Sequence, residues 1–152
     1  MKTPEFDSRD SATNIIINGD MRISQRGASF VALASATYCL DRWLYSKSGS
    51  MVHTVSEDSD VPTVAQAGHF LQNSMRFNLT TPDTSIGSTD YALICQRIEG
   101  AEFARIAQKP FVLSFWVKAT LPGIYCIEFA NSGIDRSFVR EYTINASNTW
   151  EF

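Results

Sequence analysis

Little in this chain is equipped for chemistry. Its 152 residues hold three cysteines and two histidines. Cys39, Cys95 and Cys126 lie too far apart for a CxxC or Cys/His metal cluster. An odd number also leaves no complete disulfide framework. Cys95 and Cys126 sit inside apolar runs (YALICQRI, GIYCIEF), where a free thiol packs as a small hydrophobe. His53 and His69 have no ligand partner at useful spacing and read as strand or loop residues. An excess of positive charge is missing as well: a net charge of -3 gives no electrostatic footprint for nucleic acid or an anionic membrane. No stretch approaches the roughly 18 apolar residues that cross a bilayer. The opening MKTPEFDSRDSA lacks the apolar run of a signal peptide, so export by the standard route is not expected.

Catalytic patterns are missing too. There is no GxSxG elbow, no glycine-rich phosphate loop and no HExxH. The sixteen acidic residues are scattered, and context singles out no pair that would converge on a sugar as in a glycosidase. The acidic stretch SEDSD, 56–60, superficially suggests calcium. It lacks the glycine and terminal Glu of an EF-hand loop, and a solvated loop is expected. An enzyme is not expected.

What remains is β-forming sequence, rich in Phe, Tyr and Trp, in one domain's worth of chain. Strands are predicted over 13–18, 41–47, 51–57, 71–79, 91–98, 111–118, 124–130 and 136–144. SKSG (46–49), TTPDTSIGSTD (80–90), LPG (121–123) and NSGID (131–135) supply the turns. EGAEFARIA, 99–107, is the one helical candidate. Such a series specifies an all-β antiparallel sandwich over 13–152. The polar leader 1–12 precedes it and is expected to stay disordered until something binds it.

Alternation assigns the faces. Phe111, Leu113, Phe115 and Val117 share one side of their strand, and Tyr125, Ile127 and Phe129 one side of theirs. With Phe77 they are the expected core. Truncating Phe115 to Ala is then expected to cost about 3–5 kcal/mol. Trp116, on the opposite side, reads equally as a stacking surface or a sheet-to-sheet contact.

The segment NIIINGDMRISQRGASF, 14–30, is the least ordinary. Ile15, Ile16 and Ile17 read as a first strand, Asn18-Gly19 as a tight turn, and a short polar strand follows, ending at Gln25-Arg26-Gly27. Arg26 reads as a loop-locking donor to nearby carbonyls or a carboxylate in preference to a ligand contact. Asp41-Arg42-Trp43 reads as a local charge pair beside a packed indole in preference to a sugar platform.

Taken together, NIIINGDMRISQRG, YCLDRW, YALICQRIEG, KPFVLSFWVKA, DRSFVREYTI and NTWEF resemble a recurrent virion protein of tailed bacteriophages. Its members are similar to tail-fibre, head-fibre and decoration components. The resemblance runs from about Asn14 to the last residue. Two pieces, Asn14 to Asp20 and the Gln96–Ile98 plus Phe111–Ala119 block, also resemble galactose-binding-like jelly-roll carbohydrate-binding modules. The resemblance implies a non-enzymatic virion protein, assembled in the host cytoplasm and contributing to host-surface attachment. The alternative it implies is a module that reads a cell-surface or polysaccharide glycan. Trp43, Tyr45, Trp116 and Arg97 are the candidate glycan contacts. Those modules usually follow Asn-Gly-Asp with an aromatic and a Glu that helps hold a structural calcium. Met21 and Arg22 stand there here, so no cofactor is expected and a calcium near Asp20 is left without that carboxylate.

The expected partners are other virion proteins, which the leader would meet through Thr3, Pro4, Glu5 and Phe6. Family members also continue past NTWE with further strands, so a sandwich incomplete at its C-terminus is expected. Trp150 and Phe152 would share one face there. An uncovered sheet edge favours a partner chain, and a homo-oligomer, such as a trimer, is expected.

Overall fold

Alternating apolar residues and well-placed turns give eight strands and two short helices among residues 14–152, which are those described by the computed structural model. The leader, with Thr3, Pro4, Glu5 and Phe6, lies outside the described residues. All ladders are antiparallel, so the chain is all-β as expected. The chain falls into two compact units, divided between Pro110 and Phe111. The division falls just after Gln108, whose φ of 59° is left-handed, and at a proline that has no N–H to give to a ladder.

The first unit holds two three-stranded sheets. One is ordered β1 (Ser29–Phe30), β4 (Val52–Asp58), β5 (Ser74–Thr81), and the other β2 (Thr37–Tyr38), β3 (Trp43–Ser48), β6 (Tyr91–Gln96). They meet face to face, as in a sandwich. Tyr45 and Val55 are wholly buried between them, with Leu33 and Cys39, and Phe30, Trp43, Met75 and Ile94 pack around these four. β4 begins beyond the SKSG turn and runs through Asp58, so three of the five residues of the acidic stretch expected as loop are strand. Its last residue pairs across the sheet with Arg76, at 3.4 Å.

Two helices punctuate the first unit. α1 (Val64–Ala67) has a full capping box, Thr63 and Gln66 each holding the other's backbone N–H, and it stops at Gly68 in the left-handed region. The Thr-x-x-Gln spacing announces that start in the sequence, although no helix was expected there. α2 (Gly100–Ile106) is the expected helix.

The second unit is a hairpin of β7 (Gly123–Ala130) and β8 (Ser137–Ile144). Tyr125, Ile127 and Phe129 do share one side of β7 and are half-buried. The expected strand 111–118 is different. Only Val117 pairs, in an isolated bridge with Glu151, so this segment has no ladder to fix its alternation. Phe111 (52% exposed) and Leu113 lie open, as does Phe77 in the first unit; Phe115 and Val117 are only half-buried. Cys126 points outward from β7 and is exposed, against its expected burial, whereas Cys39 is fully buried. Near the end of the unit, Lys118 lies over the Trp150 ring at 5.1 Å, and Trp116 packs on Phe152 at 5.2 Å.

Candidate functional site

The three isoleucines at 15–17 form no ladder, contrary to expectation. Gln96, at the end of β6, takes the place of a strand partner. Its side-chain Oε1 accepts from Ile17 N at 2.8 Å and its Nε2 donates to Ile17 O at 2.7 Å. One side-chain amide thus satisfies both backbone groups of a residue that would otherwise need a neighbouring strand.

The turn after the isoleucines also differs from the two-residue hairpin expected at Asn18-Gly19. The left-handed residues are Asn18 and Met21, each at φ 55°, and Met21 N donates to Asn18 O. Asparagine tolerates that region better than most residues, and its side chain is fully used. Asn18 Nδ2 donates to Ile23 O (2.9 Å) and Asp41 O (3.0 Å), while Ile23 N donates to Asn18 Oδ1 (2.9 Å). Its carbonyl accepts from the indole of Trp43 at 3.0 Å.

Asp41 closes the same region from the other side. Its carboxylate accepts from Gln25 N at 2.6 Å and faces Arg26 Nη1 at 3.4 Å. Arg26 also lies over the Tyr38 ring, 5.7 Å from its centroid. The polar strand expected before it is absent; Ser24 to Gly27 form a turn, with Gly27 at φ 123°. Arg26 nonetheless holds the loop, as its sequence context suggests. Asp41 and Arg42 do not form the local pair expected of them. Asp41 turns to Arg26, whereas Arg42 reaches Glu99 at the start of α2. Arg42 sits at φ 74°, which points neighbouring side chains in the Asp-Arg-Trp run in different directions. The Arg42 guanidinium holds the Glu99 carboxyl below its usual range.

Three separated segments, 14–27, 38–43 and 94–99, are therefore tied together by side chains that bond backbone. The arrangement is a clasp. It offers a ligand no convergent set of acids, bases or nucleophiles. Asp20 is engaged by Arg22 at 2.7 Å, and among the described residues no three His, Cys, Asp or Glu come together as metal ligands would.

The candidate glycan contacts fare unequally. Tyr45 is a correction: its exposure is 0%, and it belongs to the core, so it has no face on which a sugar could stack. Trp43 is half-buried and its indole N–H is committed to Asn18. Arg97 is exposed, one residue beyond β6. Trp116 belongs to the second unit and is half-buried against Phe152. The first three share the first unit but not one surface, since Trp43 and Tyr45 point into it and Arg97 does not.

The sequence missed the roles of Asn18 and Gln96. Both are ordinary polar residues beside apolar runs, and each has a partner far off in the chain: Gln96 meets Ile17 across 79 residues and Asn18 meets Asp41 across 23. Among the described residues no helix is long and apolar enough to cross a membrane. Compared with family models, curated proteins and solved structures, the chain matches none.

Proposed function

We propose that this chain is a non-enzymatic structural protein of a tailed-bacteriophage virion, a tail-fibre, head-fibre or capsid-decoration component with a jelly-roll type of sandwich. The clasp carries this reading. Three of the six pieces that make up the resemblance, Asn14 to Gly27, Tyr38 to Trp43 and Tyr91 to Gly100, contain the residues that hold one another's backbone. A polar set that served a ligand would instead leave donors and acceptors directed at open space. Such a set fits a protein whose task is to keep a shape.

The chain would assemble in the host cytoplasm with other virion proteins, and as a homo-oligomer, most simply a trimer. Support for a covering partner comes from the apolar side chains that the second unit leaves exposed, among them Leu121, Ile124, Phe138 and Val139. Surfaces of that kind mark interaction sites. The test is the position of this chain in purified particles, by labelled antibody and by mass spectrometry of dissociated virions. Detection in stoichiometric amount at a head or tail position is expected. Absence from particles that are otherwise complete would end the virion reading. Specific glycan-array binding by the isolated chain, abolished by Arg97→Ala, would favour the carbohydrate-binding alternative.

A further inference from the structure

The core of the first unit contains one polar residue that the clasp does not use. His53 is 5% exposed, on the inner side of β4. Its Nδ1 lies 2.9 Å from the hydroxyl of Tyr45, which comes from β3 in the opposite sheet. Its ring stacks on Phe77 of β5, with centroids 4.3 Å apart and planes 13° from parallel. Phe77 also meets Tyr45 edge-on at 5.8 Å. The three rings join the two sheets, and the Tyr45–His53 hydrogen bond is the polar link in that contact.

We propose that His53 is an acid-sensitive catch between the two sheets: taking up a proton from solvent, it places a buried charge at their contact and loosens their packing. Neutral imidazole suits this site because one ring nitrogen is paired and the ring is stacked. The imidazolium does not suit it. Both nitrogens would then be donors, and the charge would be buried with nothing opposite in sign beside it.

The surroundings of His53 carry that argument. From β3 it faces Tyr45 and Lys47, and the Lys47 ammonium donates to Met51 O nearby. From β5 it faces Phe77 and its cross-strand partner Leu79. On β6 the residues opposite Tyr45 and Lys47 are Ile94 and Ala92. On β4 itself the inner side continues through Val55 to Glu57, whose carboxylate is taken by Asn73. One cation and no free carboxylate therefore meet the ring. Burial first, and then Lys47, hold His53 below the ordinary histidine range. A folded-state value below the unfolded one means that the stabilisation is complete above about pH 6.5 and is lost as pH falls from there through the folded-state value. Over that window the closed-to-open ratio falls by up to about tenfold per pH unit.

Nuclear magnetic resonance titration of the whole chain from pH 8 to pH 4 tests the catch. His53 is expected to titrate below the ordinary histidine range of about 6.5, with the Tyr45 and Phe77 ring signals losing dispersion over the same pH range. The double variant Tyr45→Phe/His53→Phe removes both partners of the buried bond and should keep its circular dichroism but lose this transition. Titration of His53 at or above about pH 6.5 would overturn the proposal. So would titration with no change in the two rings, or an unaltered transition in the folded double variant. If the double variant does not fold, Lys47→Met decides: it should raise the pH at which His53 titrates and the rings respond, and no movement counts against the catch.

Discussion

The two units use similar material to different ends. Both are β-rich and aromatic, yet the first encloses Tyr45, Val55 and Cys39 completely, whereas the second fully buries only Ile144. The difference lies in the number of layers. Two sheets facing each other give an inner side chain neighbours above and below it. A two-stranded hairpin gives it neighbours on one side, and such a hairpin is marginal unless something packs on it. In the second unit that role falls to a segment without a ladder: Phe111 meets Phe129 and Phe115 meets Tyr142, both edge-on with centroids 5.4 Å apart. Apolar content supplies candidates for a core; layering selects among them.

A truncation in each unit measures the contrast. Tyr45→Ala should have the largest effect, about 3–5 kcal/mol in chemical denaturation, the range for large aromatic truncations in cores. It removes the ring from between the sheets and leaves His53 buried without its partner. A loss below about 1 kcal/mol would mean that the two sheets do not depend on each other as the geometry requires.

Asn18→Ala comes next and probes what holds the clasp beside that core. Three side-chain hydrogen bonds are lost, and alanine must adopt a φ of 55°. The expected cost is about 2 kcal/mol, since partly exposed hydrogen bonds are each worth about 0.5–1.5 kcal/mol and overlap in effect. Amide exchange of Ile23, whose N–H bonds to Asn18 Oδ1, should accelerate before global unfolding is seen. Unchanged Ile23 protection would remove Asn18 from the clasp.

How much of this was legible in the sequence follows from the range over which each signal acts. Six strands could be read because alternation and turn residues are local: DRWLYSK, MVHTVSE and GIYCIEF carry their period within a few residues. IIIN and FVLSFWVK are just as β-prone locally, but each needs a partner strand that the ladders do not provide. Propensity cannot report that. The clasp was half legible. Arg26 beside a turn suggests a loop lock, but its partner Asp41 is 15 residues away, and Gln96 meets Ile17 across 79 residues. The four candidate glycan residues were chosen by type, and type does not say which way a strand faces: Tyr45 is aromatic and entirely inside.

Phe115→Ala is the second unit's counterpart to Tyr45→Ala. Phe115 is half-buried, so the 3–5 kcal/mol expected for a core phenylalanine should shrink to about 1–2 kcal/mol, in proportion to the area removed from water. The measurement is the same denaturation experiment on both variants. Equal losses for Phe115→Ala and Tyr45→Ala would erase the contrast and mean that a further layer covers the hairpin in solution.

The smallest effect should come from the polar contact that stands in for packing in the second unit. Glu151 accepts from Asn145 N and Ala146 N at 2.9 and 2.8 Å, and from Asn145 Nδ2 at 2.7 Å. Its own backbone pairs with Val117 in both directions. These bonds, the Asn145 side chain foremost, hold the Glu151 carboxyl below its usual range. A folded-state value below the unfolded one means that the contribution is present above about pH 4.3 and is lost as pH falls below it through the folded-state value. The group is open to solvent, so global stability should scarcely move. The sensitive readout is local: amide exchange at Asn145 and Ala146, corrected for the intrinsic effect of pH, should quicken as the carboxyl takes a proton. Glu151→Gln should show the quickened exchange already at neutral pH, because the amide keeps an acceptor but loses the charge that strengthens these bonds. Protection that is the same in both proteins, and flat with pH, would show that the Val117–Glu151 bridge orders this end of the hairpin without help from the carboxylate.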